Sequence, residues 1–129
     1  MSKRVIRPAG LHRTTGYNHA IVKAGQPVFI AGQVALDASG NLVGEGNIAA
    51  QADQVMANLR AVVAACGGTL DDIVKITIFT TDLAHRPAIA AARNRHFGTG
   101  DYPASTFLVV SSLADPRFLV EIEAVAMIE

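Results

Sequence analysis

Apolar residues between positions 48 and 66 recur at helical spacing: Ile48, Ala52, Val55, Leu59, Val62 and Cys66 follow at steps of four, three, four, three and four. Met56 and Val63 widen the stripe, so an amphipathic helix is expected, with Gln51, Asp53, Gln54, Asn58 and Arg60 on its outer face. Cys66 falls in the buried stripe and reads as an inert core thiol. Asn47 suits the N-cap, because its side-chain oxygen accepts from an unpaired N–H of the first turn; Gly67-Gly68 supplies a left-handed stop. Residues 83–97 form a second, alanine-rich helical pattern, with Pro87 in the first turn, where its missing N–H is harmless, and Gly98 at the end.

Strands are expected around these helices. Residues 73–81 (IVKITIFTT) are β-branched and aromatic, the clearest strand in the chain, and residues 105–112 and 119–128 are two more, separated by Leu113-Ala114-Asp115-Pro116-Arg117. Near the start, Val5-Ile6 opens a short strand that Arg7-Pro8-Ala9-Gly10 stops, and residues 19–23 and 28–31 read as a hairpin across Ala24-Gly25-Gln26-Pro27. The order β, ββ, α, β, α, ββ predicts an α+β domain, because a connection through a helix lets strands run parallel: a mixed sheet with two helices on one face. No further helix is left for the other face. A bare apolar sheet face is an aggregation hazard, so the sheets of neighbouring subunits are expected to pack together.

Composition sharpens this picture. A chain of 129 residues, 50% hydrophobic and 17% charged, predicts one domain over 1–129 and no disorder. Eleven basic residues balance eleven acidic ones, which disfavours nucleic acid as a partner, and near-zero charge with mean hydropathy +0.31 favours self-association. The basic start lacks the apolar core of a signal peptide, and no run approaches the ~18 apolar residues of a membrane span. The single cysteine makes cytoplasmic residence the expectation. His12, His19, His85 and His96 have no metal-ligand spacing, so neither metal nor cofactor is expected.

Candidate chemistry begins with Glu121 and Glu123, which share one face of the last strand with Val125 and Met127. Paired carboxylates can divide acid and base roles, and a solvated strand face is the ordinary alternative. Thr14-Thr15-Gly16-Tyr17-Asn18-His19 sets a phenol and an imidazole beside a glycine, and Phe29-Ile30-Ala31-Gly32-Gln33 ends a strand with a glycine, which often marks close approach by a ligand or another chain. Gly40, Gly44 and Gly46 make no phosphate-binding pattern, and there is no GxSxG elbow.

Seven ordered segments together resemble the Rid/YjgF proteins, the reactive intermediate deaminases also called L-PSP endoribonucleases. They are Gly16-Tyr17; Ile30-Ala31-Gly32-Gln33-Val34; the helix from Gln51-Ala52 to Asn58-Leu59 ending at Gly67-Gly68; Asp72 to Phe79; Asp82-Leu83; Tyr102-Pro103-Ala104; and Val120 to Ala126. The resemblance implies a chorismate-mutase-like fold and a homotrimer whose three sheets form a central barrel, with ligand clefts between subunits. It implies hydrolysis of enamines and imines such as 2-aminoacrylate to a keto acid and ammonia. An arginine grips the substrate carboxylate, and a glutamate with its water supplies acid/base chemistry. Glu121 matches that glutamate, Tyr17 the family's tyrosine, and Gly32 the strand glycine.

The family's Pro-Ala-Arg-Ser reads Pro103-Ala104-Ser105-Thr106 here, so Ser105 stands at the place of the arginine. By the same alignment Phe107 replaces a cysteine, Ala31 a serine and Ala90 an asparagine. These departures argue against the 2-aminoacrylate reaction and leave two readings open. One is a deaminase of altered substrate range, in which either Arg93 or Arg117 brings a guanidinium from another direction or the cleft, made more apolar by Phe107 and Ala31, takes a more hydrophobic substrate; the other is a non-catalytic trimer binding a small metabolite or a protein partner. A carboxylate or imine is the expected ligand.

Overall fold

The computed structural model describes residues 3–98 and 101–129. Its strands are β1 (Arg4–Ile6), β2 (Ala20–Val22), β3 (Gln26–Gln33), β4 (Ile73–Thr80), β5 (Ala104–Val109) and β6 (Val120–Ile128), and its helices α1 (Ile48–Ala65) and α2 (Arg86–Phe97). Two 3-10 turns, Leu70–Asp72 and Leu83–His85, lead into β4 and α2. The main sheet has the order β3-β6-β4-β5, with β4 and β5 parallel and the other pairs antiparallel. This is the expected mixed sheet of an α+β domain.

Period-two alternation sorts each strand between two faces. Val120, Ile122, Ala124 and Ala126 of β6 and Ile76 and Ile78 of β4 are buried in one cluster with Ala52, Val55, Met56, Leu59 and Val63 of α1 and Ile89 and Ala92 of α2. The other face carries Phe29, Phe79, Glu121, Glu123, Val125 and Leu108, the side chains between the buried ones. Phe29, opposite Val125, is 79% exposed and Leu108 42% exposed, so an apolar face of the sheet lies open in the single chain.

Three expectations are corrected. The early hairpin does not form: β2 pairs with β1 in a separate two-stranded sheet, and β3 pairs with β6. Gly25, at φ +140°, lies against the Ile128 backbone and turns the chain from one sheet to the other, where a Cβ would come within 2.9 Å of main-chain atoms. Gln51 is fully buried rather than on the outer face of α1. Cys66 is exposed, because it is the C-cap of α1 and lies past the last turn that the sheet covers.

Asn47 caps α1 as expected, its Oδ1 accepting from the Ala50 N–H at 3.1 Å. Asn47→Ala is expected to cost about 1 kcal/mol. Thermal melting should show this as a fall of roughly 3–5 °C in Tm.

Candidate functional site

Four of the candidate residues converge on one cavity. Thr15, Tyr17, Ile78, Arg86, Ile89, Ala90, Arg93, Ser105 and Phe107 line a space of about 470 Å³ between α2, the edge strand β5 and the Gly16-Tyr17 loop. Strand register explains the β5 contribution: Ser105 pairs with Ile76 and Phe107 with Ile78, so both side chains lie on the helix-bearing face. That side of β5 has no further strand to cover it, which leaves the gap under α2.

Arg93 reaches into this gap from α2. Its guanidinium packs against Gly16, so closely that a Cβ there would collide with Nη2 and lie 2.7 Å from Cζ. Gly16 also has φ +77°, a conformation that side-chain-bearing residues resist. The Gly16-Tyr17 pair therefore makes a turn and a seat for the arginine together. Arg93 Nε donates to Asn94 Oδ1 at 3.1 Å, and its Cζ lies 5.8 Å from the Tyr102 ring centroid. Burial pushes its pKa below the ordinary arginine value; Tyr102 opposes that shift and the Arg86 charge adds to it. An arginine keeps its charge under such conditions. Among the described residues no carboxylate stands within ion-pair distance of it.

Tyr17 is held from behind, its hydroxyl sharing a 2.9 Å hydrogen bond with His12 Nε2. His12 stacks edge-on against His19 at 4.8 Å, and the His19 Nε2 lies 2.9 Å from the His12 carbonyl oxygen. A second cavity, lined by Arg7, Arg13, His12, His19 and Tyr102 among others, adjoins the first through Thr15 and Tyr17.

Glu121, Gly32 and Ala31 lie elsewhere. Glu121 pairs with Phe79 and so projects from the open face, opposite to the face of Ser105 and Phe107. Its carboxylate rests on Gly32, where a Cβ would collide with Oε2 and approach Cδ to 2.7 Å. This close approach gives the strand glycine its physical reason. One chain therefore does not unite Glu121 with Tyr17. Arg117 is not at the cavity: it pairs with Asp115 at 2.8 Å and with Glu45 at 3.5 Å, and its hydrogen bonds hold the Asp115 carboxyl down at about 2.

Arg86 was not singled out from the sequence, although it stands seven residues before Arg93 and so on nearly the same helix face. Its Cζ sits 5.2 Å above the Phe107 ring centroid. Among the described residues there is no metal-binding group of three or more His, Cys, Asp or Glu, and no helix long and apolar enough to cross a membrane.

Residues 9–128 match the family model described as Endoribonuclease L-PSP. Protein DfrA of Myxococcus xanthus is 38% identical over 130 residues, spanning 98% of this chain and 97% of that protein. A RutC family protein of Synechocystis is 36% identical, spanning 99% and 98%. The crystal structure of a protein of unknown function of the Rid family from Yersinia pestis superimposes with TM-score 0.92 at 37% identity, over 99% of this chain and all of that one. RidA of an Antarctic Psychrobacter follows at TM-score 0.74 and 32% identity, over 91% and 92%.

Proposed function

Given that the chain belongs to the Endoribonuclease L-PSP family, which includes Rid and RutC proteins, we propose that it is a hydrolytic enamine/imine deaminase in which Arg93, from α2, takes the place of a strand-borne arginine. The observation that carries this is the half-buried Arg93 guanidinium, seated on Gly16 beside Tyr17 and Ser105 and facing no carboxylate among the described residues. A planar guanidinium binds a carboxylate through two parallel N–H donors, which fixes the substrate's orientation as well as its position.

The active unit is a homotrimer whose sheets pack through their open faces into a barrel. Two features support it. Phe29, Val125 and Leu108 need cover. In addition, Glu121 and the Arg93 cavity lie on opposite faces of one sheet, so a shared site requires a second copy. In the cleft between neighbours, Arg93 and Ser105 hold the carboxylate, Tyr17 orients the C=N group with His12 behind it, and the neighbour's Glu121 takes a proton from water. The water oxygen bonds to the imine carbon to give a carbinolamine; its nitrogen is protonated and leaves as ammonia as the C=O forms. A cytoplasmic setting belongs to the same reading, since the lone cysteine serves no internal disulfide.

The test is ammonia release from freshly generated imines of amino acids against spontaneous hydrolysis. The wild type should exceed background, and Arg93→Ala should raise KM by about tenfold or more while the fold is kept. No rate above background at any protein concentration would replace the enzyme by a binding protein.

A further inference from the structure

The cavity holds two guanidiniums, and only one is needed to grip a monocarboxylate. Arg86 and Arg93 are two turns apart on α2, about 10 Å along the axis at the helical rise per residue, and both line the same space. Neither has an ion-pair partner among the described residues. Arg86 is the first residue of α2, where its charge also opposes the helix dipole. The Phe107 ring beneath it offsets this by a cation–π contact, and both side chains line the cavity. Two like charges facing one cavity repel, and the lowered Arg93 pKa has Arg86 among its causes.

We infer that the cavity takes a dicarboxylate, with one carboxylate on Arg93 and the second on Arg86, so that the preferred imine or enamine is one with a four- or five-carbon diacid skeleton. This rests on the reading of the cavity as the substrate site. It gives Phe107 a role as the platform that positions Arg86, and it accounts for two arginines that line one cavity without an ion-pair partner among the described residues. A dianion removes both the repulsion between the arginines and the cost of leaving Arg93 half-buried and unpaired. The alternative occupant of the second guanidinium is Glu121 of a neighbouring copy, in which case a second substrate carboxylate would gain nothing.

Calorimetric binding of 2-oxoglutarate and succinate, compared with 2-oxobutanoate and butanoate, separates these cases. The full-length wild type should bind each diacid about tenfold or more tightly than its monoacid counterpart, in a salt-dependent manner. Arg86→Gln should remove most of that preference and leave monoacid affinity within about twofold, whereas Arg93→Ala should weaken both classes. Phe107→Leu should reduce the preference while Arg86 remains. Equal affinities in the wild type, or a preference that survives Arg86→Gln, would overturn the inference. Diacid preference without ammonia release from any imine sinks the deaminase reading and leaves the dicarboxylate pocket standing. Ammonia release from monocarboxylate imines by a wild type that shows no diacid preference does the reverse.

Discussion

Glu121→Ala is expected to lower imine turnover by about 10²-fold or more, the usual loss for a positioned general acid/base, with ligand binding largely kept. The more telling result comes from mixing. Arg93→Ala and Glu121→Ala protomers, each weakly active alone at substrate concentrations well below KM, should regain about a quarter of wild-type activity under the same conditions when unfolded and refolded together in equal amounts, since random assembly of a symmetric ring makes that share of clefts with both groups intact. The reason is in the register: Glu121 opposes Phe79 on the open face, while Ser105 and Phe107 oppose Ile76 and Ile78 on the helix face. If each site were complete within one chain, mixing would restore nothing. Measured ammonia release before and after co-refolding decides between the two.

Gln51→Leu should cost about 3 kcal/mol, the largest stability effect expected of a single polar substitution here. Gln51 is fully buried on α1, its Nε2 donating to the carbonyls of Gly44 and Arg117 at 3.1 and 3.0 Å and its Oε1 accepting from the Leu119 N–H at 2.9 Å. The amide thereby joins α1 to the loop before it and to the segment that enters β6. Leucine has similar volume, so the loss comes from three backbone groups left unpaired in the interior rather than from a cavity. A Tm lowered by roughly 10 °C with an otherwise native circular dichroism spectrum is the expected outcome. A change under 2 °C would mean that water replaces the amide, roughly the effect of a surface substitution.

Much of the fold was legible because local rules agreed with one another. The stripe from Ile48 to Val63, the Asn47 cap, the Gly67 stop and the β-branched run from Ile73 each report a period or a dihedral requirement that neighbouring residues settle. The same alternation put Glu121 and Glu123 on one strand face with Val125. The resemblance named Tyr17 and Glu121 but left open where a guanidinium would come from.

What the chain order alone does not decide is which strand meets which. Residues 20–22 and 26–33 look like a hairpin, yet β3 gains a longer partner in β6, nearly a hundred residues away, and Gly25 permits the departure. Burial at helix ends is equally non-local: Cys66 continues the apolar stripe but extends beyond the sheet, and Gln51 is polar yet lies under the loop that needs its hydrogen bonds. The site follows the same division. Sequence alone determined the elements, the open apolar face and the residue types available for chemistry. Tertiary structure decided that Arg86 and Arg93 face one cavity, that Arg117 is spent on Asp115, and that Glu121 lies on the far side of the sheet, because those outcomes depend on strand order and helix rotation, which are set by packing across the whole domain rather than by any local stretch.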